Sequence, residues 1–132
     1  MEELNNSLRQ KKALENRTKR FAVAVFKLLD GLPASISGKT IAFQIGKSAS
    51  SISANYREAN RAESRDDFLH KVGIALKECS ETIYWLEVMS DLYGENDALE
   101  HLLAEACEFL RIFQSAKRTL LKKQSKNSSM QS

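Results

Sequence analysis

The sequence predicts an all-α fold, an antiparallel up-down-up-down four-helix bundle, and three observations carry that prediction. Only one proline and five glycines occur in 132 residues, whereas most other architectures use those residues more densely as punctuation. Apolar residues make up 42% and charged residues 28%, the balance of long helices with one buried and one solvated face. Apolar positions recur at three- and four-residue spacing in stretches separated by three breaks, the period of helices that share a core. A chain of this length builds one such core.

The first helix is expected from near Leu4 or Leu14 to about Asp30. Its apolar face is Thr18, Phe21, Ala22, Val25, Phe26, Leu28, Leu29 and Leu32. Pro33 ends it, because proline disfavours helical geometry at the residue before it. Ser37 can cap the second helix, whose stripe Ile41, Ile45, Ala49, Ile52 and Tyr56 continues to about Asn60. After a polar break at 60–64, Ser64 and Asp67 form a weak capping box with aspartate in the glutamate position. The third helix then shows Phe68, Val72, Ala75, Cys79, Ile83 and Leu86 as one seam and stops at Tyr93-Gly94, where glycine suits a left-handed turn. Asp97 and Glu100 open the fourth helix, with Leu99, Leu103, Ala106, Leu110, Phe113, Lys117 and Leu120 on one face. Short connections make neighbours antiparallel. Residues 1–123 are therefore the bundle domain, and 124–132, without apolar periodicity, a disordered C-terminal tail.

Several classes are disfavoured by composition. Glu2 and Glu3 stand where a secretory signal needs basic residues, and the apolar stretch 21–29 is short and interrupted by Lys27, so no export signal and no membrane span is expected. Cys79 and Cys107 lack the spacing of metal ligands or of a disulfide scaffold. A cytoplasmic location follows as the expectation.

The segment Ser51-Ile52-Ser53-Ala54-Asn55-Tyr56-Arg57-Glu58-Ala59, with Arg61, Ser64 and Phe68 after it, resembles the second-to-third-helix signature of a bacterial four-helix bundle family. That family is the 23S rRNA intervening-sequence proteins, encoded within large-subunit ribosomal RNA genes. Residues 74–86, with Ser80 and Glu81 in the family's Ser-Glu position, resemble its third helix, and the similarity spans about residues 18–120. Ser53 and Ala59 stand where the family pattern has proline and glycine, which predicts longer or straighter helix ends. The resemblance implies a homo-oligomer, a pentamer. A related branch, the accessory proteins of diversity-generating retroelements, implies contact with a reverse transcriptase and with nucleic acid.

Charge placement is the strongest signal read from the residues themselves. Net charge is only +3, but an antiparallel bundle gathers 8–20, 57–67 and 115–126 at one pole, fourteen bases against five acids, or +9. The opposite pole, 27–47 with 86–108, holds three bases against eight acids, or −5. A basic pole suits a phosphate backbone through counterion release, and Arg57, Arg61, Arg65, Lys117, Arg118, Lys122 and Lys123 are the expected contacts with RNA or DNA. A solvated face is the competing reading, since bases near the end of the fourth helix stabilise its dipole. Bases at the start of the first helix oppose its dipole and speak for binding.

A polar seam on the second helix, Gln44, Ser48, Ser51, Asn55 and Glu58, reads either as an exposed face or as an oligomer interface in which polar groups fix the pairing. Gln44, Ser48, Ser51, Asn55 and Trp85 are the candidate interface residues, Trp85 lying on an edge with Glu78, Met89 and Leu92. A hydrogen-bonded Glu81–Asn55 pair is a structural option. His70 and His101 fall near opposite poles, and no Glu-x-x-His pair or glycine-rich phosphate loop occurs. The expectation is no enzyme, cofactor or metal. The alternative function is a scaffold that docks a partner protein through the acidic pole or aromatic edge.

Overall fold

A computed structural model describes residues 1–131, with side chains described through residue 127. Four helices follow one another: α1 (Glu2–Leu29), α2 (Ile36–Ala59), α3 (Arg65–Tyr93) and α4 (Asp97–Gln131). Each packs on its neighbours in the chain, and α1 closes the ring on α4, with the α2–α3 pair the most extensive contact. This is the expected up-down-up-down bundle. Its connections are short because each helix end carries its own stop and start signals.

Ser64 caps α3 as expected, its hydroxyl accepting from the Asp67 amide at 3.1 Å. The other two caps lie one or two residues upstream of the expected ones. Ser35 caps α2 by accepting from the Gly38 amide at 3.0 Å, and Ser37 lies inside the helix. Asn96 caps α4, its side-chain oxygen accepting from the Leu99 amide at 2.8 Å. In each case a short polar side chain just outside the helix satisfies one of its free amides. Gly94 ends α3 with a φ of 88°. With alanine in place of the family's glycine, α2 ends instead at Asn60 in right-handed geometry.

The whole predicted stripe of α2 is buried, from Ile41 to Tyr56. On α4 the core seam runs through Leu99, Leu102, Ala106, Phe109 and Phe113, so Leu103 and Leu110 sit half-buried beside it. Both choices obey helical spacing; the rotation is decided by packing, Phe109 meeting Phe21 edge-on at 5.3 Å. On α3 the same competition puts Thr82 and Met89 in the core and leaves Ile83 half-buried. Phe26, expected in the α1 core face, is 49% exposed and rests on α2 at Gly46. α1 begins close to the earlier of its two expected starts, Leu4, and the end of α4 differs from expectation. α1 is helical from Glu2, although residues 1–13 are all exposed, and α4 continues through 124–131, where polar composition predicts a tail. Residue 132 of that predicted tail lies outside the described residues.

Gly38 explains why α2 begins where it does. A Cβ at this position would stand 1.9 Å from the Pro33 carbonyl oxygen, so the turn can fold back on α2 only over a residue without a side chain. Gly73, in α3, has nothing within 4 Å of the same position. Gly38→Ala should therefore destabilise by at least about 1–3 kcal/mol through overpacking against backbone. Gly73→Ala should stabilise by about 0.5–1 kcal/mol through helix propensity. Urea unfolding of the two variants checks both signs.

Candidate nucleic-acid interface

The basic pole is organised around one acid. Glu15 is 8% exposed although it lies in the most basic stretch of α1. Its Oε1 is 3.4 Å from Arg57 Nε and 3.7 Å from Arg61 Nη1, and its Oε2 accepts from Asn60 Nδ2 at 3.4 Å. Oε1 is buried without a hydrogen bond of its own, so charge holds the two arginines there. They remain partly exposed, with 42% and 61% of their side chains accessible. Each can still turn guanidinium donors outward.

Arg17, counted with the basic pole, is withdrawn from it. Its Nε and Nη2 donate to both oxygens of Glu105 at 2.9 and 2.6 Å, and its guanidinium carbon lies 5.2 Å from the centre of the Phe109 ring. Glu105 lies in the acidic segment 86–108, so this pair removes one charge from each pole. The bidentate bond holds the Glu105 carboxyl below its ordinary range and raises Arg17 further above its own. Glu2 and Glu3, at the start of α1, add acid to the basic end. The contrast between the poles is thus real but smaller than the sequence sum.

The seven predicted contacts separate into groups. Arg57 and Arg61 sit on Glu15. Arg65 and Lys123 line a groove of about 810 Å³ with Lys11 on its α1 wall and Phe68 and Ile112 also facing it. Lys117 and Arg118 line a separate groove between α3 and α4, together with Lys77. Lys122 is exposed on α4. Among the described residues none of Lys11, Arg65, Lys117, Arg118, Lys122 or Lys123 forms an ion pair. Sequence reasoning left out Lys77 and the bracing role of Glu15. Lys77 points to the pole only through packing, but a single acid among six bases was a visible signal for Glu15.

The groove exists because α2 is the shortest helix, 24 residues against 28, 29 and 35. Ser48 of α2 stands opposite Thr82 of α3, their hydroxyl oxygens 2.8 Å apart. Counting along antiparallel helices from that pair, α2 ends opposite Lys71 and Val72. About a turn and a half of α3 therefore runs on without α2 beside it. In the vacated place a cavity of about 350 Å³ opens between all four helices, walled by residues that include Leu14, Tyr56, Asn60, Phe68, Val72 and Phe113. Tyr56 tilts against Phe113 at 5.4 Å, and burial raises its phenol pKa.

The Ser48–Thr82 contact also corrects the predicted oligomer interface. Ser48 is 2% exposed and belongs to the α2–α3 interior of one chain. Thr82 bonds in addition to the Glu78 carbonyl at 2.7 Å, so the polar pair is satisfied within the bundle. Gln44, Ser51 and Asn55 remain half-buried, Asn55 donating to the Ser51 carbonyl at 2.9 Å. Trp85 is half-buried against the core, with Tyr84 edge-on to it and 58% exposed. Glu81, considered as a partner for Asn55, is exposed. Glu78 is the acid turned inward, its Oε2 buried without a partner, and burial followed by repulsion from Glu81 raises its carboxyl pKa. Cys79 is wholly buried, and its thiol is pushed up to about 12 by burial, which makes it unreactive. Among the described residues no three His, Cys, Asp or Glu side chains converge as metal ligands, and no helix is long and apolar enough to cross a membrane.

Residues 11–115 match the family model of the 23S rRNA-intervening sequence proteins. A crystal structure of a protein of unknown function from the S23 ribosomal protein family of Bacteroides thetaiotaomicron is similar, with a TM-score of 0.68 and 32% sequence identity. The alignment covers 78% of this chain and 96% of that one. No curated protein matches the chain.

Glu105 and Glu78 should respond to pH in opposite senses. Glu105 is depressed in the fold, so its stabilisation is present above its unfolded value, near 4.5, and is lost as pH falls through the folded value. Glu105→Gln should flatten that part of the acid-unfolding profile. Glu78 is raised, so its contribution is present below its unfolded value and lost as pH rises through the folded one. Glu78→Gln should therefore raise the melting temperature at pH 7 and have little effect at acid pH. Thermal unfolding followed by circular dichroism across pH measures both.

Proposed function

The chain belongs to the 23S rRNA-intervening sequence protein family, and we propose that it is a non-enzymatic, cytoplasmic, homo-oligomeric bundle that binds RNA or DNA through its basic pole. The observation that carries this reading is the set of bases without ion-pair partners among the described residues, Lys11, Arg65, Lys117, Arg118, Lys122 and Lys123, on the grooves and surface of one end. Arg57 and Arg61 flank them, partly neutralised by Glu15. Side chains of one sign at one end raise the local concentration of a polyanion and give salt-sensitive affinity with little sequence preference. Oligomerisation through the outer α2–α3 face, where Gln44, Ser51, Asn55 and Trp85 lie, is the accompanying proposal. A ring of parallel subunits, the pentamer that family resemblance implies, would set several basic poles side by side.

A second reading has its own support. Tyr84, Leu92 and Tyr93 are exposed near Asp91 and Glu95, a surface suited to a partner protein with basic and apolar residues. A reverse transcriptase, the partner implied by resemblance to retroelement accessory proteins, is one candidate. Pull-down of a specific protein that survives nuclease treatment and is lost on Tyr84→Ala would favour this reading.

Fluorescence anisotropy with a labelled RNA separates the two. On the nucleic-acid reading, log affinity falls linearly with log salt, by at least about a hundredfold between about 50 and 200 mM. Reversing the charges of Lys117, Arg118, Lys122 and Lys123 together should abolish binding. Absence of binding at about 50 mM salt, or indifference to the reversal, would sink it. Light scattering that gives a monomer at micromolar concentration would refute oligomerisation.

A further inference from the structure

We propose that the outer α1–α2 face near the acidic pole docks on the last turns of α3 in a second copy of this chain, a head-to-tail contact that repeats from copy to copy. This rests on the reading of the protein as a homo-oligomer and names the two surfaces that meet, one on each side of the polar α2–α3 face. The exposed large apolar side chains between residues 9 and 120 fall on those two surfaces alone. Val23, Phe26, Ile36 and Phe43 make the first, with Ile36 88% and Phe43 67% exposed. Tyr84, Leu92 and Tyr93 make the second. Single exposed apolar residues are ordinary, but a group of them marks an interaction site.

Charge selects what covers each surface. Lys27, Lys39 and Lys47 are exposed around the first, with Asp30 as its acid. Glu87, Asp91 and Glu95 are exposed along the second, and no base occurs between Lys77 and Arg111. Among the described residues none of these seven charges forms an ion pair. Neither surface suits its own counterpart in a two-fold dimer, because like charges would face each other. The first against the second satisfies both, whereas an acidic helix from another protein would cover only the first. The heights agree as well. Phe26 rests on Gly46, and Ser48 meets Thr82. Counted along antiparallel helices from those contacts, Lys27 stands level with Trp85 and Lys39 with Asp91. Two copies can therefore meet side by side with matching helices parallel, and a contact between unlike surfaces leaves one of each for the next copy. That arrangement turns every basic pole the same way.

Light scattering over a dilution series tests the pairing. Lys27→Glu with Lys39→Glu, or Glu87→Lys with Asp91→Lys, should each raise the subunit dissociation constant at least about tenfold, because like charges then meet across the contact. One chain carrying all four substitutions has both surfaces reversed and should assemble again. An equimolar mixture of the two half-reversed variants, which sets reversed against reversed and native against native, should associate too. Circular dichroism should show the same helix content throughout. Indifference of the dissociation constant to both half reversals, or failure of the mixture to associate, would overturn the pairing and leave the oligomer standing. A wild-type monomer at micromolar concentration would remove both.

Discussion

The pairing of Ser48 with Thr82 sets much of the rest of the molecule. α2 and α3 form the most extensive contact in the bundle, and small residues on α2 let the two backbones come close. Two buried hydroxyls 2.8 Å apart favour one slide of the helices along each other, because a shift by a turn would break their contact and set Ser48 at the level of the core residues Cys79 or Leu86. Once that slide is fixed, so is the level at which α2 stops. The cavity at the basic pole is the direct result, a gap in a bundle whose other three helices continue. Structural and functional features thus meet in the length of one helix.

Electrostatics follow a similar logic of local pairing over global sums. A pole-by-pole count treats every base as available, yet Arg17 is clamped by Glu105 and stacked on Phe109. Half-buried charge pairs of this kind hold helices together and contribute little to the outer field. Among the described residues the lysines of α4 form no such pair, and they dominate what an approaching ligand feels. Screening limits their reach to about 10 Å at ordinary ionic strength, so the grooves, which bring bases from different helices within that distance, matter more than total charge.

Much of the fold was legible in the sequence because helix periodicity is a local property. The stripe of α2 and the ends of α3 could be placed from spacing and capping residues alone. Where two apolar residues stand side by side, as at Leu102-Leu103 and Phe109-Leu110, spacing permits two faces, and only the partner helices choose between them. Ser48 looked like a surface position because it continues a polar seam, yet its hydroxyl finds Thr82 across the interface. The candidate site was legible only as a region of charge. Its groove, its brace at Glu15 and the addition of Lys11 and Lys77 depend on contacts between residues far apart in sequence, which periodicity does not encode.

Glu15 has one further consequence. Arg57 and Arg61 are long side chains that in isolation would sample many rotamers, and freezing them on a ligand would cost about 1.5–2 kcal/mol each. Tethered from below by a buried carboxylate, they have lost part of that freedom in folding. The same acid that lowers the net charge of the pole therefore turns two flexible cations into a shaped surface, trading strength of attraction for readiness of form.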